Sequence, residues 1–177
     1  MSGHNKWAQI KRQKEKTDSV KSKVFGKLAK FITDEARKAH GDTNAPGLRV
    51  AIEKAKASNM PNENIERAIK RAAGGGIETM DQVVYEAYGP GGCGLIIEVL
   101  TANKNKAAQE IKHSLAKHGF SLAGMGSVTW AFEKRPGGGW VATTPVSLSE
   151  SDLVILETLI DELEASDEVQ EVITNAE

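Results

Sequence analysis

A single cysteine, Cys93, stands among 177 residues, so no internal disulfide can form and the composition suits a reducing compartment. No run of about 18 apolar residues exists, which excludes a membrane-spanning helix. The longest greasy stretch, Gly94 to Leu100, is broken by Glu98. The opening Met1-Ser2-Gly3-His4-Asn5-Lys6 has no apolar core and no small-residue cleavage pattern, so no signal peptide is read and a cytoplasmic location is expected. Lysine and arginine are absent from the last 28 positions, Glu150 to Glu177, which hold ten acidic side chains. That tail lacks the Asp-x-Asp-x-Asp spacing of a calcium loop and reads as a solvated acidic face. Its functional alternatives are repulsion that keeps nucleic acid on the other half, or attraction to a basic partner such as a ribosomal protein.

Catalytic signatures are equally sparse. Cys93 is a nucleophile in principle, with His4, His40, His113 and His118 as bases, but no local motif joins them. His113 and His118 are five apart and do not share a helix face as zinc ligands at i,i+4 do. No catalytic residue, metal or cofactor is expected.

What the chain does have is segregated charge. Residues 1–40 carry 11 basic and four acidic side chains, and the count to Ala73 is 17 against eight. The remaining residues hold six against 16, so a net charge of −1 conceals a dipolar molecule. A basic first half points to a polyanionic partner, nucleic acid above all, with DNA, ribosomal RNA and transfer RNA all open and the oligomeric state unspecified.

In order, Asn5 to Lys16 mixes Trp7 and Ile10 with Lys6, Lys11, Arg12, Lys14 and Lys16, as a short helix or an arm that orders on binding. Trp7 reads either as a stacking platform among phosphate-binding lysines or as an anchor pinning the arm to the helical core. Thr17 or Asp18 caps a helix that Gly41 ends. Val20, Val24, Leu28, Phe31 and Ile32 fall within an arc of about 120° and form its core face. Lys16, Lys23, Lys27, Lys30 and Arg37 form a second arc that can meet phosphates. Five such contacts predict a log-log salt slope of roughly −4 on duplex DNA. A third helix from Pro46 to about Ser58 buries Leu48, Ala51, Ile52 and Ala55, and a fourth after Asn62 buries Ile65, Ala68, Ile69 and Ala72. Gly74, Gly75 and Gly76 make a joint, so residues 1–76 are expected as a basic helical nucleic-acid-binding domain.

Residues 77–177 then read as an acidic α+β domain. Val83 to Tyr88 and Leu95 to Leu100 suggest a hairpin around Gly89-Pro90-Gly91-Gly92, a turn whose amides offer a weak phosphate nest without the lysine of a P-loop. Asn103 or Asn105 starts a helix through Ile111 and Leu115. Ser127 to Phe132 alternates as a strand with Trp130 in the core, and Trp140 to Val146 is a further β-like piece. Ser149 caps a helix through Leu153 and Leu163, and Glu168 to Thr174 closes the sheet. The fold expected is α+β, a small helical bundle followed by an antiparallel-dominated sandwich with helices on one face.

The run Gly3-His4-Asn5-Lys6-Trp7-Ala8-Gln9-Ile10-Lys11, the stretch Leu48 to Pro61, Asn64-Ile65-Glu66-Arg67-Ala68-Ile69 and Tyr85-Glu86-Ala87-Tyr88-Gly89-Pro90-Gly91-Gly92 resemble the YebC/PmpR family. So do Thr101 to Lys106, Lys117-His118-Gly119, Gly126-Ser127-Val128, Leu159 to Leu163 and Asp167 to Val172. The resemblance implies a non-enzymatic DNA-binding transcriptional regulator or, as in a mitochondrial translational activator, a ribosome-associated factor that relieves stalling on structured RNA. A protein-interaction module acting through the acidic half is a third reading. Relatives carry an inserted α/β domain after the strand ending near Phe132, where this chain has only Glu133 to Gly139. The second domain is expected to fold intact without it. The stretch Phe120 to Met125 also departs from the family pattern.

Overall fold

Between Asp18 and Ala57, 33 residues are helical, in two helices of 21 and 12 residues separated by one turn, because core positions recur every three or four residues and both ends carry stop signals. In the computed structural model, which describes residues 5–76 and 78–177, the chain forms two compact units. Residues 13–80 make one. The other joins the described residues up to Arg12 with residues 81–177. His4, weighed above as a base, lies outside the described residues.

The helical unit contains α2 (Asp18–Lys38), α3 (Pro46–Ala57) and α4 (Asn62–Ala72). Leu28, Ile32 and Ala36 of α2 pack with Leu48, Ala51 and Ala55 of α3 and with Ile65 and Ala68 of α4, all buried, with Met60 closing the gap. Each fully buried Leu or Ile contributes about 1.5–3 kcal/mol. Four alanines at the contact let the helices approach closely. α2 ends as its sequence indicates: His40 and Gly41 both take positive φ, 50° and 79°, and the Gly41 N–H donates to the Ala36 carbonyl at 2.8 Å.

The second unit is built on a four-stranded antiparallel sheet in the order β3 (Leu122–Ala123), β1 (Asp81–Tyr88), β2 (Gly94–Thr101), β6 (Val169–Thr174). β2 is apolar on both sides because both are covered. Leu95, Ile97 and Val99 meet α5 (Lys104–Lys117) and α6 (Glu150–Glu164) through Ile111, Leu115, Leu156 and Leu159. On the opposite side Ile96 meets Val128, Ala131 and Phe132. Asn103 caps α5 by accepting the Lys106 N–H at 3.0 Å, and Ser149 caps α6 by accepting that of Asp152 at 3.1 Å. β6 is an edge strand, and its Val172 N–H donates to the Glu164 carboxylate at 3.1 Å, which turns away a pairing strand. α6 and β6 complete this unit, α6 through the core it shares with α5 and β6 as a neighbour of β2 in the sheet. Residues 135–139 join a short hairpin of β4 (Phe132–Lys134) and β5 (Trp140–Ala142).

Two expectations need correction. Residues 127–131 are a turn and a short 3₁₀ segment rather than a strand, and Trp130 is 63% exposed rather than core. The cause is Glu86, whose buried carboxylate accepts the N–H groups of Gly126, Val128 and Thr129 at 2.7, 2.7 and 2.9 Å and coils the loop around itself. The domain boundary also differs at the start of the chain. α1 (Lys6–Lys14) packs not on the helical bundle but, up to Arg12, on the α+β unit, where Trp7 lies against the core of α5, α6 and β2.

Candidate nucleic-acid interface

α2 presents its lysines because its apolar residues claim the other side. With Leu28, Ile32 and Ala36 turned into the bundle, Lys23 is exposed and Lys27 and Lys30 are half-buried on the remaining arc, with exposed Lys16 just before the helix. One turn further the arc changes character. Asp34 occupies it and is buried, 2% exposed.

That carboxylate recruits the basic residues beyond it. Arg37 Nη2 lies 2.7 Å from Asp34 Oδ1, Arg37 Nη1 donates to Thr79 Oγ1 at 3.2 Å, and Lys38 Nζ lies 2.5 Å from Asp34 Oδ2. Burial alone would lower the Lys38 pKa, but its hydrogen bond to Asp34 and the charges of Asp34 and Glu35 raise it. Arg37 is therefore turned inward as a counter-ion, and the lysine row ends at Lys30. An i,i+3 and i,i+4 pattern from Asp34 to Arg37 and Lys38 is the sequence signal that marks this.

The other predicted contacts lie on the second unit or at its margin. Lys6 pairs with Glu150 at 3.3 Å and Lys11 with Glu171 at 3.7 Å, while Arg12 is exposed and Lys14, half-buried, opens the helical unit. The first pair is solvent-exposed and the second partly so, and each contributes at most about 1 kcal/mol. Trp7 is therefore the main anchor of α1. Trp7→Ala should free α1, so that trypsin cuts at Lys11 or Arg12 roughly tenfold faster, the equivalent of about 1.4 kcal/mol of docking. Added salt should change the wild-type rate little, and an unchanged rate in the variant would make the ion pairs the anchor instead.

The expected bases and nucleophile are dispersed. Cys93 is fully buried, and burial pushes its thiol up to about 11, the environment of an inert cysteine. His118 Nε2 lies 2.8 Å from Glu162 Oε2, tying α5 to α6, and that hydrogen bond together with Lys117 lowers the Glu162 pKa. Among the described residues no group of three His, Cys, Asp or Glu could hold a metal ion, and no helix is long and apolar enough to cross a membrane.

Comparison with known sequences bears on what such a basic helical face belongs to. Residues 5–75 match the model described as the TACO1/YebC protein N-terminal domain, and residues 80–136 match that of the TACO1/YebC second and third domain. A "Probable transcriptional regulatory protein Teth39_1009" of Thermoanaerobacter pseudethanolicus is 47% identical over 178 residues, spanning 98% of this chain and 72% of that protein. The chain belongs to the TACO1/YebC family. A "Probable transcriptional regulatory protein" of Pseudothermotoga lettingae is 54% identical over 139 residues, 76% of this chain and 54% of that protein. This TACO1/YebC chain thus spans about half to three quarters of the length of these relatives. The crystal structure of Aq1575, a conserved hypothetical protein of Aquifex aeolicus, superposes with a TM-score of 0.72 at 28% identity over 90% of this chain and 91% of that one.

Within the TACO1/YebC helical unit, one further basic group was not singled out from the sequence. Arg67, Lys70 and Arg71 are exposed on α4. The depression beside them is lined by Glu63, Glu66, Arg67 and Lys70, two of each sign, so it offers phosphate no net attraction. The α2 row, with no acid exposed between Lys23 and Lys30, is the better surface.

Proposed function

We propose that this chain is a non-enzymatic regulator of gene expression that holds nucleic acid by its phosphates, with Lys16, Lys23, Lys27 and Lys30 as the main contact row. Lys6, Lys11, Arg12 and Lys14 form a lesser group. The observation that carries the reading is the α2 lysine row on a unit holding 14 basic and nine acidic residues, set against an acidic remainder. The relatives' names as transcriptional regulatory proteins support the regulatory part.

The row contains no Asn, Gln or Arg poised for base edges, which favours backbone contact over sequence readout. The same feature favours structured RNA, so a ribosome-associated factor is the second reading. We place the extra segment of the longer relatives at the 133–139 turn, in line with a family match that ends at Pro136. Co-sedimentation with purified ribosomes at near-physiological salt, against excess duplex DNA, separates the two. Retention on ribosomes is expected of a translation factor, and transfer to the DNA of a transcriptional regulator. Binding to neither would overturn the nucleic-acid reading.

A further inference from the structure

Large apolar side chains are left uncovered along one side of the α+β unit. Val84 is 42% exposed, Tyr88 41%, Trp130 63% and Met125 fully so. Val84 and Tyr88 alternate with Glu86 on the face of β1 turned away from α5 and α6, and residues 125–130 lie across that face because Glu86 holds their amides.

Trp130 is exposed but not loose. Its indole N–H donates to the Tyr88 hydroxyl at 3.3 Å, and that hydroxyl donates to the Ser127 carbonyl at 2.5 Å. A large ring fixed in this way offers a flat face with little ordering entropy left to lose on binding.

Charge singles out the same place. After Lys117 the chain has only two basic residues, Lys134 and Arg135, and both are exposed on the β4–β5 hairpin that begins two residues beyond Trp130. Glu133 is the one acid on that hairpin. Lys134 Nζ stands 5.6 Å from the centre of the Trp140 ring. Four residues from Trp130 to Lys134 span at most about 14 Å, which puts aromatic face and cations within reach of one short strand.

We propose that Trp130, braced by Tyr88, is a stacking site for an unpaired nucleobase, with Lys134 and Arg135 receiving the neighbouring phosphates. The proposal rests on the nucleic-acid reading above and adds a base contact that a fully paired duplex cannot satisfy, since its bases are already stacked. The α2 row takes phosphates of any nucleic acid, whereas this site selects single-stranded segments.

The test compares full-length wild type, Trp130→Ala and Trp130→Phe for binding to a labelled ten-nucleotide single-stranded RNA and to a duplex of the same length. Trp130→Ala should weaken the single strand roughly 5- to 100-fold. Duplex affinity and salt slope should not move, and Trp130→Phe should restore most of the loss. Equal single-strand affinity in wild type and Trp130→Ala, or an equal loss on both ligands, would overturn the site while leaving the function reading intact. Wild type that binds neither ligand would overturn both. A wild-type dimer that Trp130→Ala turns into monomer with RNA affinity unchanged would assign the patch to a second copy of the chain instead.

Discussion

Changing Lys23, Lys27 and Lys30 together to Gln is expected to weaken binding to duplex DNA or paired RNA on the order of 100-fold at near-physiological salt. Each phosphate neutralised contributes about 0.9 to the slope of log affinity against log salt, so three lost contacts flatten it by about 2.7. Carried from 1 M, where counterion release contributes nothing, to about 0.15 M, that flattening is the hundredfold loss. Gln keeps the side-chain length and helix propensity close to those of Lys, and none of the three lysines is in the bundle core, so stability should shift by less than about 1 kcal/mol. Arg37→Gln is the contrasting variant. It leaves buried Asp34 with one partner fewer and should lower stability while keeping the salt slope. Binding titrations over a salt series with thermal melts read both quantities. An unchanged affinity in the triple variant would remove this face from the site, and a loss with the slope intact would mean that the lysines do not meet phosphates.

The contrast between Lys30 and Arg37 shows what was legible in the sequence. A 3.6-residue repeat of apolar positions determines which side of α2 is buried, since the cost of exposing Leu28 and Ile32 is large and local. The polar side is decided by neighbours distant in the chain. Asp34 is at the same angular position as the lysines, yet it is buried beside Thr33, whose hydroxyl donates to the Ala68 carbonyl of α4 at 3.0 Å. The i,i+3 spacing offers Asp34 as a partner for Arg37, but nothing within α2 announces that this carboxylate is buried, so Arg37 read as one more exposed cation.

The two tryptophans turn on contacts that local spacing does not carry. Amphipathic bulk suits Trp7 to an anchoring role, but which core it anchors to depends on tertiary contacts, and it packs on the core of the α+β unit rather than on the bundle. Trp130 sits in an alternating stretch with Val128 and Phe132, which are indeed buried. The alternation is broken by a side chain 44 residues earlier, because three backbone N–H groups bound to one carboxylate outweigh the strand preference of five residues.

That carboxylate carries the second large effect. Glu86→Gln should lower the stability of the α+β unit by about 2–3 kcal/mol at neutral pH, since hydrogen bonds to a charged acceptor contribute about 1.5–3 kcal/mol each and the amide turns a donor toward at least one N–H. The change is isosteric, so no cavity confuses the result. Burial alone would raise the Glu86 pKa, but the N–H groups of Gly126, Val128 and Thr129 hold it below the ordinary carboxylate value of 4.5. A carboxyl depressed in the folded state binds its proton more readily once unfolded. Its contribution is therefore complete above the unfolded value and is lost as pH falls through the folded one. Urea unfolding from pH 7 to pH 3 should show the wild-type curve descending toward that of Glu86→Gln and meeting it at the acid end. The variant should also shift Trp130 emission and weaken single-strand binding, because the ring loses the loop that braces it. Curves that stay parallel would mean that burial of Val128 and Phe132, not the carboxylate, holds the loop in place.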